Sequence, residues 1–521
     1  MKLSREAVDK LREVEGVEAV LTDPEDLYVY AREKPFSSSP RYIPVAVVKV
    51  KPNAVEQVAN LAVKLGLTPI IRGEGELNQP KLLVIDSFTT PDLDQLEEEA
   101  KAAEAKMATA KEQALSEILK TGINTPRRFS IALEGILRSR QPELCKECKV
   151  CTGYCTVAPF FNYVETWSSK GRLMLIHGYK AGELKPTPKL AEVVYSCTLC
   201  GACFMRCLHG GFPNLETFRA IMAARRDLGK EGLAPESFKA MAENVSSLGN
   251  PFASTPDMRW MWLEEVEPAI KVGGKAEILY WVGCTTGIRF PEVAKAVVEL
   301  LRIGGVDFTV LGEPEGCCGD PLFLAGMWEE AEKAALKVLE VIKKGGYSTL
   351  VTACAGCYHA FSIHYPELLG IELPCEVLHV SQLLERMLKE NKLTPGRLEV
   401  KVSYHDPCEL GRLSGVYEPP RKVLRSIEGL ELREPRFNRE RSRCCGGGGG
   451  LWAYKNQVSM DAASLRLTKD IQPLNVDKLV TACPACYMNF KYTALDRSLP
   501  VEVIDLAELV LEAVQVEQKN G

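Results

Sequence analysis

The order of apolar and polar positions divides the chain into stretches of different character. Near the N-terminus, residues 45–50 form a short β-branched run and residues 55–65 carry apolar side chains at helical spacing. Residues 68–71 read as a second short strand, followed by a glycine-containing turn at 72–75. Together these predict a small α/β unit over residues 1–88. From 91 to 120 the chain is rich in Ala, Glu and Lys, with no glycine or proline after Pro91. Such a composition predicts a solvated helix within a linker spanning residues 89–135. Helical patterns continue through residues 136–265. Beyond Ala276, strands such as 278–282 alternate with helices such as 291–303, the signature of α/β packing.

That last region is also an internal repeat. Residues 350–361 read LVTACAGCYHAF and residues 479–490 read LVTACPACYMNF. Each is preceded by a Cys-Cys-Gly, at Cys317-Cys318-Gly319 and Cys444-Cys445-Gly446, and further upstream by a single cysteine, Cys284 or Cys408. The copies occupy residues 270–395 and 396–521. The predicted fold class is α/β: a small N-terminal α/β unit, a helical domain whose two C-x₂-C-x₂-C-x₃-C motifs, from Cys145 to Cys155 and from Cys197 to Cys207, predict a two-cluster ferredoxin-type domain, and a duplicated α/β Cys-Cys-Gly domain. A length of 521 residues accommodates about three such domains.

Composition changes the picture mainly through cysteine. Of 19 cysteines none precedes Cys145, eighteen fall into four spaced groups, and Cys375 stands alone. No secretory leader is expected, because Met1 to Glu6 carry charge without an apolar core behind them. A disulfide framework is out of keeping with so long a chain lacking a leader, so the clusters read as metal ligands. The net charge of −5 gives no reason to expect nucleic acid as a partner. No stretch approaches the ~18 consecutive apolar residues of a membrane helix. A cytoplasmic location is expected, peripheral to the membrane only through a partner subunit.

Cys145, Cys148, Cys151 and Cys155 form C-x₂-C-x₂-C-x₃-C, and Cys197, Cys200, Cys203 and Cys207 repeat it. Three close cysteines wrap one [4Fe–4S] cube while the fourth reaches the second cube. The expected sets are Cys145, Cys148, Cys151 with Cys207, and Cys197, Cys200, Cys203 with Cys155. The usual proline after the fourth cysteine arrives late, at Pro159 and Pro213. Zinc also takes four thiolates, but two full copies of the three-close-plus-one spacing favour cubanes. Cubanes held this way form an electron wire.

In the repeat region each copy supplies five thiols: Cys284, Cys317, Cys318, Cys354, Cys357 and then Cys408, Cys444, Cys445, Cys483, Cys486. Adjacent cysteines diverge and suit an open cluster in which one thiolate bridges two irons. Glycine after the pair removes a side chain where backbone must pass close to the inorganic core. These copies resemble the Cys-Cys-Gly domains of the catalytic subunit of heterodisulfide reductase. The order of a ferredoxin pair followed by two repeats resembles the archaeal membrane-linked form of that enzyme. It equally resembles the iron–sulfur subunits of glycolate oxidase, anaerobic glycerol-3-phosphate dehydrogenase and the sulfite-reduction-associated complex. The resemblance covers residues 136–510 and implies one or two non-cubane [4Fe–4S] clusters besides the two cubanes. Glycolate oxidase subunits usually lack a cysteine of the closing C-x₂-C, whereas both closing pairs are intact here.

The resemblance implies reductive cleavage of a (hetero)disulfide at Cys317, Cys318, Cys444 and Cys445, with iron acting as redox centre and Lewis acid. Expected partners are a flavoprotein, cytochrome b or quinone-reactive redox subunit, together with a disulfide or thiol substrate or a small thiol carrier protein. The alternative is an electron-transfer subunit of a glycolate/lactate or glycerol-3-phosphate dehydrogenase complex, and a third reading is a scaffold connecting other redox subunits.

Several further residues carry weaker signals. The run Gly446 to Gly450 is a flexible loop or a close approach to cluster or substrate. Arg289 and Arg412 follow the first cysteine of each repeat; they are either anchors for an anionic thiol substrate or, the reading favoured here, ordinary exposed arginines. His405 and His209 are packed histidines or hydrogen-bond partners of a cluster sulfur. Cys375 reads as a buried apolar residue. At the N-terminus, Asp23 to Tyr30, the strand between Pro44 and Pro52, and Arg72-Gly73-Glu74-Gly75 resemble the opening of an FAD-linked oxidase domain. The match then stops, so no complete FAD site is expected, and the unit reads as a truncated remnant that docks a partner.

Overall fold

In the computed structural model the described residues are 5–31, 46–51, 54–65, 68–72, 81–86, 150–205 and 217–520. The predicted linker helix at 91–120, the turn at 72–75 beyond Arg72, Cys145, Cys148, Cys207 and His209 lie outside them. The described residues form two compact units that divide in sequence between Val193 and Val194.

The first unit holds a four-stranded antiparallel sheet of β1 (Val17–Leu21), β2 (Ala46–Val50), β3 (Thr68–Arg72) and β4 (Lys81–Asp86), in the order β1-β2-β4-β3. The β-branched run predicted at 45–50 is β2, an interior strand, and it lies opposite β1 and β4. Helices Arg5–Arg12 and Val55–Lys64 bury Val8, Leu11 and Val58 with Val20, Val48 and Val50 of the sheet in one small core. Helix Pro24–Ala31 joins this sheet to the helical segment after residue 150: the Tyr28 hydroxyl donates to Glu183, and the Thr187 hydroxyl donates to Glu25. Helix Ser169–Lys180 begins where Ser168 turns out of helical geometry and its hydroxyl accepts from the Gly171 amide at 3.0 Å.

The second unit contains two parallel sheets of one topology. β5 (Ile278–Trp281), β6 (Phe308–Thr309), β7 (Thr349–Thr352) and β8 (Glu376–His379) lie in the order β6-β5-β7-β8. β9 (Val400–His405), β10 (Leu430–Leu432), β11 (Lys478–Thr481) and β12 (Glu502–Asp505) lie in the order β10-β9-β11-β12. Central strands are buried along nearly their whole length, as parallel strands covered by helices on both faces must be. The predicted helix at 291–303 forms as Pro291–Ile303, with proline at its first turn. It packs against helix Leu506–Asn520 from the other repeat, so the two copies share one continuous core.

Arg225, on helix Thr217–Lys230, ties the segment carrying Cys197 to both repeats. Its side chain is fully buried. It donates to Tyr195 O at 3.0 Å, Cys197 O at 2.6 Å, Leu324 O at 2.7 Å and Gly449 O at 2.8 Å. The planar fork of arginine reaches four carbonyls at once, which lysine cannot do. Arg225→Met should therefore cost roughly 3 kcal/mol or more, since it strands several buried acceptors. Arg225→Lys should cost less. Thermal melts followed by circular dichroism test that ranking.

Candidate metal centres

In a parallel sheet the space beyond the carboxyl ends of the strands, at the point where strand order reverses, is the natural ligand site. Both repeats place their cysteines there. Cys284 follows β5 and Cys354 follows β7, the two neighbours at the reversal; Cys408 and Cys483 stand likewise after β9 and β11. The Cys354 sulfur accepts from the Cys357 amide at 3.5 Å at the start of helix Ala355–His359, and Cys483 begins helix Pro484–Asp496. A C-x₂-C spacing at a helix start sets both thiols toward the same end.

The thiols of each copy are in mutual contact. In the first repeat Cys284 donates to Cys317, Cys317 to Cys318, and Cys357 to both Cys318 and Cys354. In the second, hydrogen bonds join Cys408 with Cys444, Cys444 with Cys445, and Cys486 with Cys445 and Cys483. All except Cys354 and Cys408 are buried, and those two are partly so. The bonds from Cys317 and Cys357 hold the Cys318 thiol below its usual range, and those from Cys444 and Cys486 do the same for Cys445. One low-lying thiol in each copy is the second member of the adjacent pair, a favourable property in a metal ligand.

Backbone geometry supports the same function. The amides of Gly319 and Gly446 donate to Cys317 Sγ at 3.4 Å and Cys444 Sγ at 3.3 Å, and Gly447 donates to Cys445 Sγ at 3.3 Å. Gly446 has φ +91°, and a Cβ there would lie 2.6 Å from Ser459 O. No side chain fits. The carbonyl of each second cysteine is pinned from the helical segment that follows the closing pair: Tyr365 donates to Cys318 O at 2.8 Å, and Asn489 Nδ2 to Cys445 O at 2.7 Å. Five converging sulfurs, amides aimed at them and orphaned polar atoms nearby are a donor set suited to iron rather than to hydrophobic packing.

The two sets also face common ground. A Cβ on Gly356, in the first closing pair, would lie 2.9 Å from Asp320 Oδ2 and 3.1 Å from Glu409 Oε2. Asp320 follows the first Cys-Cys-Gly, and Glu409 follows Cys408 of the second repeat. Burial pushes the Asp320 carboxyl well up and Glu409 up to about 7. Cys284, Cys354 and Cys483 all act electrostatically on Asp320, so it lies near thiols of both copies.

Of the ferredoxin-type cysteines, five fall among the described residues. In the first unit, Arg172 is buried, donates to Val193 O at 2.8 Å and Trp167 O at 2.5 Å, and places Nη1 3.8 Å from Cys155 Sγ. Cys151 lies on helix Val150–Tyr154. In the second unit, Cys200 is buried and its thiol bonds to Cys444, which with burial pushes it well up. Cys203 lies on the short helix Ala202–Met205 and is partly buried.

Arg412 departs from the sequence expectation. It is half-buried and clamps Cys200 O at 2.7 Å, Glu440 O at 3.2 Å and Ser442 O, joining the ferredoxin segment to the approach of Cys444. Arg289 is exposed and lies on the Phe252 ring, as an ordinary surface arginine does. The glycine run is a close-approach loop: a Cβ on Gly449 would come 2.5 Å from Cys197 O. Cys375, expected to be buried, is half-buried because it precedes the edge strand β8; burial still pushes its thiol up to about 11. His405 is buried, and burial pushes it down to about 3.

Sequence reasoning missed Arg225, Asp320, Glu409, Tyr365 and Asn489. Only Asp320 and Glu409 carried a signal, as acidic residues immediately beside ligand motifs.

Comparison with known proteins bears on these centres directly. A family model described as a cysteine-rich domain matches residues 278–362 and 402–491, one match per repeat. A chain of the dihydromethanophenazine:CoB–CoM heterodisulfide reductase of Methanosarcina acetivorans is 35% identical over 350 residues, spanning 65% of this chain and 84% of the relative. The chain belongs to this Cys-Cys-Gly family of iron–sulfur oxidoreductase subunits. Similar too are a chain of the fumarate reductase (CoM/CoB) of Methanothermobacter marburgensis, 32% identical across 61% of each chain, and the EtfAB:quinone oxidoreductase of Syntrophomonas wolfei. The latter is 30% identical across 62% of this chain and 47% of its own length. The family is one of proteins that carry iron–sulfur clusters and work with redox partners. No helix among the described residues is long and apolar enough to cross a membrane.

Gly446→Ala should remove metal from the second repeat alone, because the added methyl meets Ser459 O at 2.6 Å. Gly316→Ala, whose added methyl meets nothing within 4 Å, should leave metal content unchanged. Iron and acid-labile sulfide analysis of both variants checks this.

Proposed function

We propose that this chain carries electrons to, and reduces, a disulfide held between its two five-cysteine sets. In this reading Cys145, Cys148, Cys151, Cys155, Cys197, Cys200, Cys203 and Cys207 hold two [4Fe–4S] cubanes. Cys284, Cys317, Cys318, Cys354 and Cys357 hold one non-cubane cluster, and Cys408, Cys444, Cys445, Cys483 and Cys486 hold the other. The observation that carries it is the completeness of both sets together with the carboxyls of Asp320 and Glu409 at their common boundary. A pure relay needs one continuous line of centres and no second, equivalent set facing the first.

When bound, such clusters supply single electrons and iron open to an outside sulfur. The net reaction is R–S–S–R′ with two electrons and two protons giving RSH and R′SH. The chain itself provides the rest. The thiol contact from Cys200 to Cys444, braced by Arg412, favours electron entry at the second repeat. Buried walls exclude water from the sulfurs, and Tyr365 and Asn489 fix the backbone of the adjacent pairs. Partners of the expected kinds, a flavoprotein, a cytochrome b or a quinone-reactive protein, would feed the cubanes, and the relatives named for CoB–CoM and quinone reactions support such wiring.

The loaded protein should contain roughly sixteen irons, four for each of four clusters. Oxidised protein treated with a thiol substrate should give a paramagnetic signal that the oxidised cubanes do not. Roughly eight irons, or zinc, would refute the assignment. A purified complex with no thiol response that oxidises glycolate or lactate would establish the hydroxy-acid alternative instead.

Cys445→Ala should abolish disulfide turnover while dithionite still reduces both cubanes. Loss of the cubane signals in that variant would show that the roles are divided wrongly.

A further inference from the structure

The two repeats reach their adjacent cysteines by different routes. Each chain leaves the second strand of its copy, β6 or β10, and passes a Glu-Pro, Glu313-Pro314 in the first and Glu434-Pro435 in the second. From there the first copy needs only Glu315-Gly316 before Cys317. The second inserts residues 436–443, RFNRERSR, before Cys444. The insert holds four arginines against one glutamate, in a chain whose net charge is −5. Since the first copy gathers its five thiols without such a segment, the insert serves something other than holding cluster ligands.

Its backbone is fixed beside the ferredoxin-type cysteines. Arg412 donates to Glu440 O at 3.2 Å and to Ser442 O, and also to Cys200 O at 2.7 Å. The turn Arg439–Arg441 packs against helix Ala202–Met205, which carries Cys203 and ends in the exposed Met205. Charge on the insert is only partly neutralised. Arg439 is taken by Glu418 at 2.8 Å and Arg443 by Asp470 at 3.0 Å. Arg441 has its neighbour Glu440 at 3.5 Å, with both side chains in solvent, a pair worth little. Arg436 is exposed and pairs with no carboxylate among the described residues. The guanidinium groups of Arg436 and Arg443 lie 5.5 Å and 4.5 Å from the Phe437 ring centre. Stacking on an aromatic face holds a guanidinium in place without neutralising it.

We propose that this arginine insert, with Met205 beside it, is the docking surface for an acidic one-electron carrier protein that reduces the cluster at Cys197, Cys200 and Cys203. The inference rests on the reading that these cysteines hold a cubane. Fixed cations around an exposed methionine suit a small acidic protein. Rim charges raise the encounter rate and orient the partner, and arginine and methionine are the residues that interfaces favour. Several guanidinium groups spread along a segment make a protein-sized surface rather than a pocket for one small anion. In each encounter the carrier loses one electron and the cubane gains it; no bond is made or broken and no proton moves. Two encounters supply the electron pair that one disulfide consumes.

The test is anaerobic stopped-flow reduction of the oxidised, fully loaded protein. The probe is a reduced two-cluster bacterial ferredoxin of strongly acidic composition, and the methyl viologen radical is a small cationic control. Arg436→Glu/Arg441→Glu should slow reduction by ferredoxin roughly tenfold or more at low salt, a loss that shrinks as added salt screens the charges. Reduction by viologen should not slow. Lys343→Glu/Lys344→Glu makes the same change of charge at two exposed lysines on helix Trp328–Gly345 of the first repeat, and should leave the ferredoxin rate as it is. Equal losses in the two variants, no loss in the arginine variant, or a wild type that viologen reduces and ferredoxin does not, overturns the proposal. A wild type with no cubane EPR signal even after viologen overturns the cluster reading as well, so the two failures are distinguishable.

Discussion

The arrangement depends on a cation placed where no water reaches it. Burying a guanidinium costs several kcal/mol unless its hydrogen-bonding capacity is met, and Arg225 meets it with carbonyls from the Cys197 segment, the first repeat and the second. Those carbonyls are the groups that helix and strand ladders leave over at loops, so one side chain satisfies several otherwise orphaned acceptors. Aromatic faces complete the cage, with Tyr195 and Phe238 centroids 5.2 Å and 5.6 Å from the guanidinium. Three segments far apart in sequence are fixed in one place, and with them the positions from which Cys197 and the Gly446–Gly450 loop emerge.

Much of this could be read from the sequence, and for physical reasons. Ligand cysteines are constrained by metal geometry to fixed spacings, so the four groups stand out against any background. Helix Pro291–Ile303 and strand Ile278–Trp281 carry strong periodicity and clear end signals, and they form almost where the pattern puts them. The repeat was visible because both copies keep the same turns around their thiols. What stayed hidden is long-range: Arg225 is one arginine among many until Gly449 and Leu324 are folded beside it. Arg412 read as a solvated charge because nothing local announces the carbonyls of Cys200 and Ser442. Tyr365 lies in a π-helical stretch, Ala360–Leu369, whose wider turn no simple helical period anticipates.

Duplication explains both the likeness and the difference of the two centres. Sheet order, register, amide-to-sulfur bonds and the pinned carbonyl all recur, so the scaffold was copied whole. Yet the same task of holding a cysteine carbonyl falls to a phenol in one copy and a carboxamide in the other. The residues after the first ligand and ahead of it have diverged as well, with Thr285 against Glu409 and Trp281 against His405. Scaffold positions are held by packing, whereas positions that face the sulfurs are free to specialise once two copies exist.

The loop from Gly446 to Gly450 has one more consequence. Its backbone lies against Cys197 and Thr198 so closely that no methyl group could intervene at Gly449. Backbone against backbone leaves no side chain to give way, so a displacement of the Cys197 segment is passed directly to the chain that leaves the second Cys-Cys-Gly.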